Sequence, residues 1–212
     1  DSVSYGKVLE DFIAAFPESY EGYVSKAEYV AVYKRDLVAA EEAWDEALSL
    51  SENDAEVHFN KAKVMNSILQ SGDTLYAGML SYDNAFASID KAIELDAQPL
   101  YVNYKADMLY SRGDYAAASE LYEQLAKGSM RSPDIFLKAS QCQGALENYD
   151  RSIEMLDSAM NCFGDNQQRE MAPYLLVRAV VKMTAKRYRE AVFDYNEYEE
   201  IMSPNLNASF YY

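Results

Sequence analysis

Residues 101–127 read YVNYKADMLYSRGDYAAASELYEQLAK, and the fold follows from how that stretch is punctuated. Val102, Tyr104, Ala106, Leu109 and Tyr110 recur at helical spacing, which predicts a helix with one apolar face. Ser111-Arg112-Gly113-Asp114 interrupts the pattern, and Gly113 suits the left-handed residue that ends a helix. A second helix is predicted beyond it, with Tyr115, Ala118, Leu121, Tyr122 and Leu125 on one face. Two helices approach to about 8–10 Å only where the contact side chains are short, so Ala106 and Ala118 mark the closest contact of the pair. Neither helix can bury its stripe alone, and neighbouring pairs must stack.

The same punctuation returns along the chain. A basic residue followed by Ala stands at Lys26-Ala27, Lys61-Ala62, Lys105-Ala106, Lys138-Ala139 and Arg178-Ala179. A second small residue follows each, at Ala40, Ala85, Ala118, Ser152 and Ala191. The separation is 12 residues in the third and fifth units, 13 in the first and fourth, and 23 in the second. Repetition at this period is the signature of a solenoid of helix pairs.

These units resemble the tetratricopeptide repeat, a helix–turn–helix of about 34 residues with small side chains at its eighth and twentieth positions. The fifth unit fits best, through Arg178-Ala179, Tyr188, Ala191 and Tyr195; the third is next, through Lys105-Ala106, Gly113-Asp114-Tyr115, Ala118 and Tyr122. The Trp usual near the start of the first helix is missing throughout. The resemblance covers about residues 18–203 and implies an all-α superhelix of antiparallel helix pairs, about eleven or twelve helices in all. Residues 1–17 then form a capping helix or the second half of a repeat, with Tyr5, Val8, Leu9, Phe12 and Ile13 on one face. Residues 204–212, ending in Phe210-Tyr211-Tyr212, resemble the opening of a further, truncated unit.

Residues 70–81 (QSGDTLYAGMLS) separate the helices of the second unit where the others have a short turn. Leu75, Met79, Tyr82, Phe86, Ile89 and Ile93 recur at steps of four and three. That stripe predicts elongated helices over 57–70 and 75–95 rather than a long loop.

In the tetratricopeptide family the first helices line the concave groove. Carried over by position, the groove lining becomes Val24, Glu28, Phe59, Lys63, Asn66, Asn103, Asp107, Tyr110, Phe136, Ser140, Gln143, Leu176, Val180 and Met183. The carboxylate clamp of chaperone-binding members needs Lys, Asn and Arg across successive units. Only Asn60 and Lys63 come near it, so no such clamp is expected. The resemblance also implies that Arg178 pairs with Asp194 as a structural contact, an arrangement common in bacterial members. The basic residue before each first Ala could form a cationic ladder for acidic tails; local pairing with acids is the favoured reading.

Net charge is −16, with 14 acidic and 4 basic side chains in residues 1–56 against 21 and 15 in the remainder. Such acidity argues against duplex nucleic acid and anionic membrane surfaces as partners. No apolar run is long enough to insert across a bilayer. His58 is the only histidine, which removes metal sites built on histidine pairs. Cys142 and Cys162 fall at positions too far apart for a disulfide and are read as free thiols. No phosphate-cradling loop, nucleophile elbow or cofactor motif is present. Most of the nineteen tyrosines follow the packing stripes, whereas Tyr110 is expected to be exposed in the groove. The function implied is a non-catalytic scaffold that binds a peptide or partner protein. The runner-up is an exported bacterial cell-envelope protein that recognises a glycan or peptide.

Overall fold

All ten small residues that punctuate the repeats, from Ala27 and Ala40 to Ala179 and Ala191, have no exposed surface. The computed structural model describes residues 2–51, 54–76, 78–128 and 130–203, so the expected further unit at 204–212 lies outside the described residues. Among them the chain forms eleven α-helices and no strand: α1 Ser2–Ala15, α2 Tyr20–Tyr29, α3 Leu37–Leu50, α4 Asp54–Ser71, α5 Tyr82–Leu95, α6 Pro99–Arg112, α7 Tyr115–Lys127, α8 Pro133–Ala145, α9 Tyr149–Met160, α10 Gln168–Thr184 and α11 Tyr188–Met202. They fall into two compact units, Asp1–Tyr101 and Val102–Tyr212. In the first unit α2 packs on α3 and α4 on α5; in the second, α8 packs on α7 and α9, and α10 on α9 and α11.

The short turns share one construction. Arg35, Gly113, Glu147 and Lys186 each adopt positive φ, at 58°, 89°, 60° and 61°. Each stands five positions before the second small residue of its pair. In three turns the next amide bonds back to the carbonyl five residues earlier: Asp114 to Leu109 at 2.9 Å, Asn148 to Gln143 at 2.9 Å and Arg187 to Lys182 at 2.8 Å. This is the Schellman closure of a helix end. The first pair, which like the fourth carries one residue more than the third and fifth, closes differently. A π turn over Val30–Lys34 widens the end of α2, so that Asp36 reaches back six residues to the Val30 carbonyl at 3.2 Å. Asp36 then caps α3 by accepting the Ala39 amide at 3.0 Å.

The second pair departs from the expected elongation. α4 does run 18 residues, but α5 begins at Tyr82 instead of near residue 75. Gly72 and Gly78 take positive φ, a single 3₁₀ turn covers Thr74–Tyr76, and Ser81 forms a capping box with Asn84. Tyr76 and Leu80 are buried, and the Tyr76 hydroxyl donates to the Ala31 carbonyl. The stripe residues Leu75 and Met79 instead face solvent. Burying their neighbours, together with the Ser81 cap, outweighs continuing the helix.

α1 runs antiparallel to α2. A Cβ on Gly6 would lie 2.5 Å from the Tyr29 hydroxyl, and one on Gly22 would lie 3.1 Å from Phe12 and Ile13. Of the expected stripe only Leu9 is buried and Ile13 half-buried, while Tyr5, Val8 and Phe12 are exposed. α10 also starts earlier than its proline suggests, leaving Pro173 within the helix.

Candidate functional site

The predicted groove residues sort into three groups by burial. In the first unit, Glu28 and Lys63 are exposed, and Lys63 lies over the Phe59 ring at 5.5 Å. Phe59 stacks at 4.6 Å on Tyr101, and Asn66 is buried. Asn60, the nearest approach to a clamp residue, is committed: its Oδ1 accepts the Trp44 indole N–H at 3.2 Å.

In the second unit, Phe136 and Ser140 are buried. Ser140 belongs to the α8/α9 contact, where its hydroxyl lies 2.8 Å from that of Ser152 and its carbonyl accepts the Ser152 hydroxyl at 2.9 Å. The family position carried over to it also fits the packing edge of that helix, and burial decides between the two. Gln143 is turned toward α7, donating to Ser119 Oγ at 2.8 Å and accepting from Asn148 at 3.0 Å.

What remains accessible is a polar cluster on α6 and α8. Asp107 Oδ1 accepts the Tyr122 hydroxyl at 2.5 Å and Lys138 Nζ at 2.6 Å, while Oδ2 accepts Asn103 Nδ2 at 3.4 Å. Asp107 and Lys138 are each about one third exposed, so the pair is reachable from solvent. Burial, reinforced by the hydrogen bond to Asp107, pushes the Tyr122 phenol above its ordinary range, and Tyr122 stays a donor. The Asn103 Oδ1 atom is buried and has no hydrogen-bond partner among the described residues. Tyr110 stands nearby at the surface, edge-on to Tyr115 at 5.4 Å. The cluster therefore presents a solvent-reachable acid–base pair and one amphipathic ring beside a buried, unsatisfied amide acceptor.

Arg178 and Asp194 meet in the second unit. Arg178 donates from Nε at 3.0 Å and Nη2 at 2.7 Å to the two oxygens of Asp194, a two-donor fork on a carboxylate with no exposed surface. Lys182 Nζ lies 2.8 Å from the same carboxylate, and Arg178 Nη1 reaches Asp157 at 2.5 Å. Burial would pull the Arg178 guanidinium down, but its bonds to Asp194 and Asp157 more than offset this and raise it. Sequence reading missed Lys182 and Asp157. Lys182 stands one helical turn after Arg178 on the same face, which was the available signal.

Two of the other basic residues before the first Ala also find acids. Lys61 pairs with Glu41 on α3 and lies over the Trp44 ring at 5.4 Å, and Lys138 pairs with Asp107. Both thiols are free, and Cys162 is half-buried. Cys142 is buried and its pKa is pushed by burial to about 12, which holds it as an unreactive thiol. No helix among the described residues is long and apolar enough to cross a membrane.

No family model matches the sequence, and no curated protein matches it. The structure is similar to solved structures of tetratricopeptide repeat fold. MamA (residues 41 to the end) from Desulfovibrio magneticus RS-1 aligns at 15% identity and TM-score 0.62, covering 88% of this chain and 97% of that one. YrrB, described as a TPR protein with an unusual peptide-binding site, aligns at 13% identity and TM-score 0.61, covering 96% of each chain. PilW, a widely conserved type IV pilus biogenesis factor, aligns at 16% identity and TM-score 0.61, covering 99% of this chain and 88% of that one. The protein thus has the tetratricopeptide repeat fold, an α-α solenoid of helix pairs.

Proposed function

We propose that the protein is a non-catalytic interaction scaffold that holds a peptide or partner protein against the α6/α8 face. The observation that carries this reading is the Asn103 amide: its Nδ2 is fixed on Asp107 while its buried Oδ1 has no partner. Buried polar atoms are satisfied as a rule, so an orientated acceptor without a donor points to one that a ligand supplies. A peptide backbone N–H is such a donor. Lys138 can then meet a partner carboxylate, and Tyr110 offers rigid contact area at low entropic cost. Fold likeness to YrrB, whose description names a peptide-binding site, supports the same reading.

A photo-crosslinking amino acid in place of Tyr110 tests it. The expected result is one discrete protein adduct from the native host, lost on Asn103→Leu while the melting temperature holds. Labelling that Asn103→Leu leaves untouched overturns the role of this face. The runner-up, a cell-envelope protein recognising a glycan, is tested on the same variants with an oligosaccharide array. Glycan retention that depends on Asn103 and Tyr110, without any protein adduct, favours it.

A further inference from the structure

A cleft of about 360 Å³ opens along the contact of α1 with α2 and its π turn. Leu9, Ile13, Tyr29 and Val30 give it an apolar floor, and Lys26 and Lys34 stand on its α2 side. The size suits one or two side chains of a ligand rather than a whole helix. The lysines are out of keeping with their surroundings, being two of only four basic residues among the first 56, against 14 acids. Both are exposed, and neither makes an ion pair among the described residues. Lys34 instead lies 5.6 Å from the centre of the Tyr29 ring, at the floor.

Eight residues separate the two lysines along α2 and the π turn, a rise of about 12 Å at helical spacing. In an extended peptide, residues four apart lie about 13 Å apart on the same side of the strand, with the residue between them also on that side. The match sets the ligand pattern. We propose that this cleft binds an extended peptide segment with acidic residues at positions i and i+4 and a large apolar residue at i+2. The apolar side chain fills the floor, and the two carboxylates meet Lys26 and Lys34. This surface lies in the first unit and does not depend on the α6/α8 reading.

Glu10 also lines the cleft, on the α1 side, and makes the arrangement asymmetric. Gly6 packs against Tyr29 and Ile13 against Gly22, so antiparallel α1 brings Glu10 level with Lys26, while among the described residues no acid of α1 lines the cleft beside Lys34. The carboxylate beside Lys34 therefore contributes more than the one beside Lys26. It also follows that removing the Glu10 charge strengthens binding. A fatty-acid carboxylate has one charge and can engage only one of the two lysines at a time.

The test titrates acetyl-Glu-Thr-Leu-Thr-Glu-amide into the ¹⁵N-labelled full chain and follows amide shifts. Expected are saturable shifts confined to α1, α2 and the π turn, about fivefold weaker affinity for Lys34→Glu, a smaller loss for Lys26→Glu, and about twofold tighter binding for Glu10→Gln. The exposed Ala14 supplies a steric control: Ala14→Phe fills the cleft and abolishes the shifts while the remaining spectrum stays folded. Three results overturn the proposal: no saturable shift at millimolar peptide, better binding of acetyl-Lys-Thr-Leu-Thr-Lys-amide, or cleft shifts with decanoate but not with the peptide. A charge-swapped pair, Lys26→Glu with Lys34→Glu, should regain affinity for the lysine peptide, which separates lost complementarity from lost fold.

Discussion

The pairs α4/α5 and α10/α11 reverse the chain by opposite means. α10/α11 turns within three residues, with Lys186 at positive φ and Arg187 bonded back to Lys182. Its two helices are then cross-linked by the buried Asp194 between Arg178 and Lys182. α4/α5 uses residues 72–81 for the same reversal and anchors them by burying Tyr76 and Leu80. The short turn is specified locally, by backbone geometry and one closing hydrogen bond. The long one is specified by what it covers, and its own sequence pattern is misleading for that reason.

Breaking the ion cluster should have the largest effect. Asp194→Ala leaves buried Lys182 without its carboxylate and Arg178 with Asp157 alone, and should cost about 3 kcal/mol in urea unfolding. A loss below about 1 kcal/mol would mean that Asp157 alone satisfies Arg178 and that the short turn holds the pair unaided. Replacing Arg178, Lys182 and Asp194 together by apolar residues of similar volume should recover much of the loss.

The long connection answers to a different substitution. Tyr76→Ala should cost about 2–3 kcal/mol through the cavity it leaves, and Tyr76→Phe about 1 kcal/mol through the unpaired Ala31 carbonyl. Were residues 72–81 an ordinary surface loop, both variants would lie within about 0.5 kcal/mol of the parent. Ser81→Ala tests the other half of the device, with about 1 kcal/mol expected for loss of the α5 cap. At the short turn the sign reverses: Lys186→Gly relieves a side chain held at positive φ and should raise stability by up to about 1 kcal/mol.

The smallest effect is on pH. His58 in α4 is half-buried, and burial, aided by the Lys61 charge, holds its pKa below the ordinary 6.5. A group depressed in the folded state contributes stability that is full above the unfolded value and is lost as pH falls through the folded one. The urea midpoint of the parent should therefore fall relative to His58→Gln below about pH 6.5, and the two should run parallel above it. Parallel curves down to pH 5 would place His58 in solvent and remove any distinction of α4 at that turn.

The fold was legible because its determinants repeat. Small residues before and after each turn, acting only through the distance at which two helices can pack, placed all five pairs. The Arg178–Asp194 contact was legible for the same reason, since close approach at Ala179 and Ala191 carries their neighbours together. The groove was less so. Asn66, Phe136 and Ser140 occupy family groove positions yet are buried, because one helix face grades into the next and the sequence does not mark where the packed edge stops.

By itself the sequence determined the helix pairs, their order, the short turns and the small residues at which each pair closes, all of which rest on short-range geometry and side-chain size. Only the tertiary structure decided three other matters. It buried Tyr76 and Leu80 in place of Leu75 and Met79, left Asn103 with an acceptor unfilled, and set Lys26 and Lys34 beside an apolar cleft. Each depends on which surfaces from distant parts of the chain meet, and burial free energy is assigned by that meeting, which periodicity along one helix cannot encode.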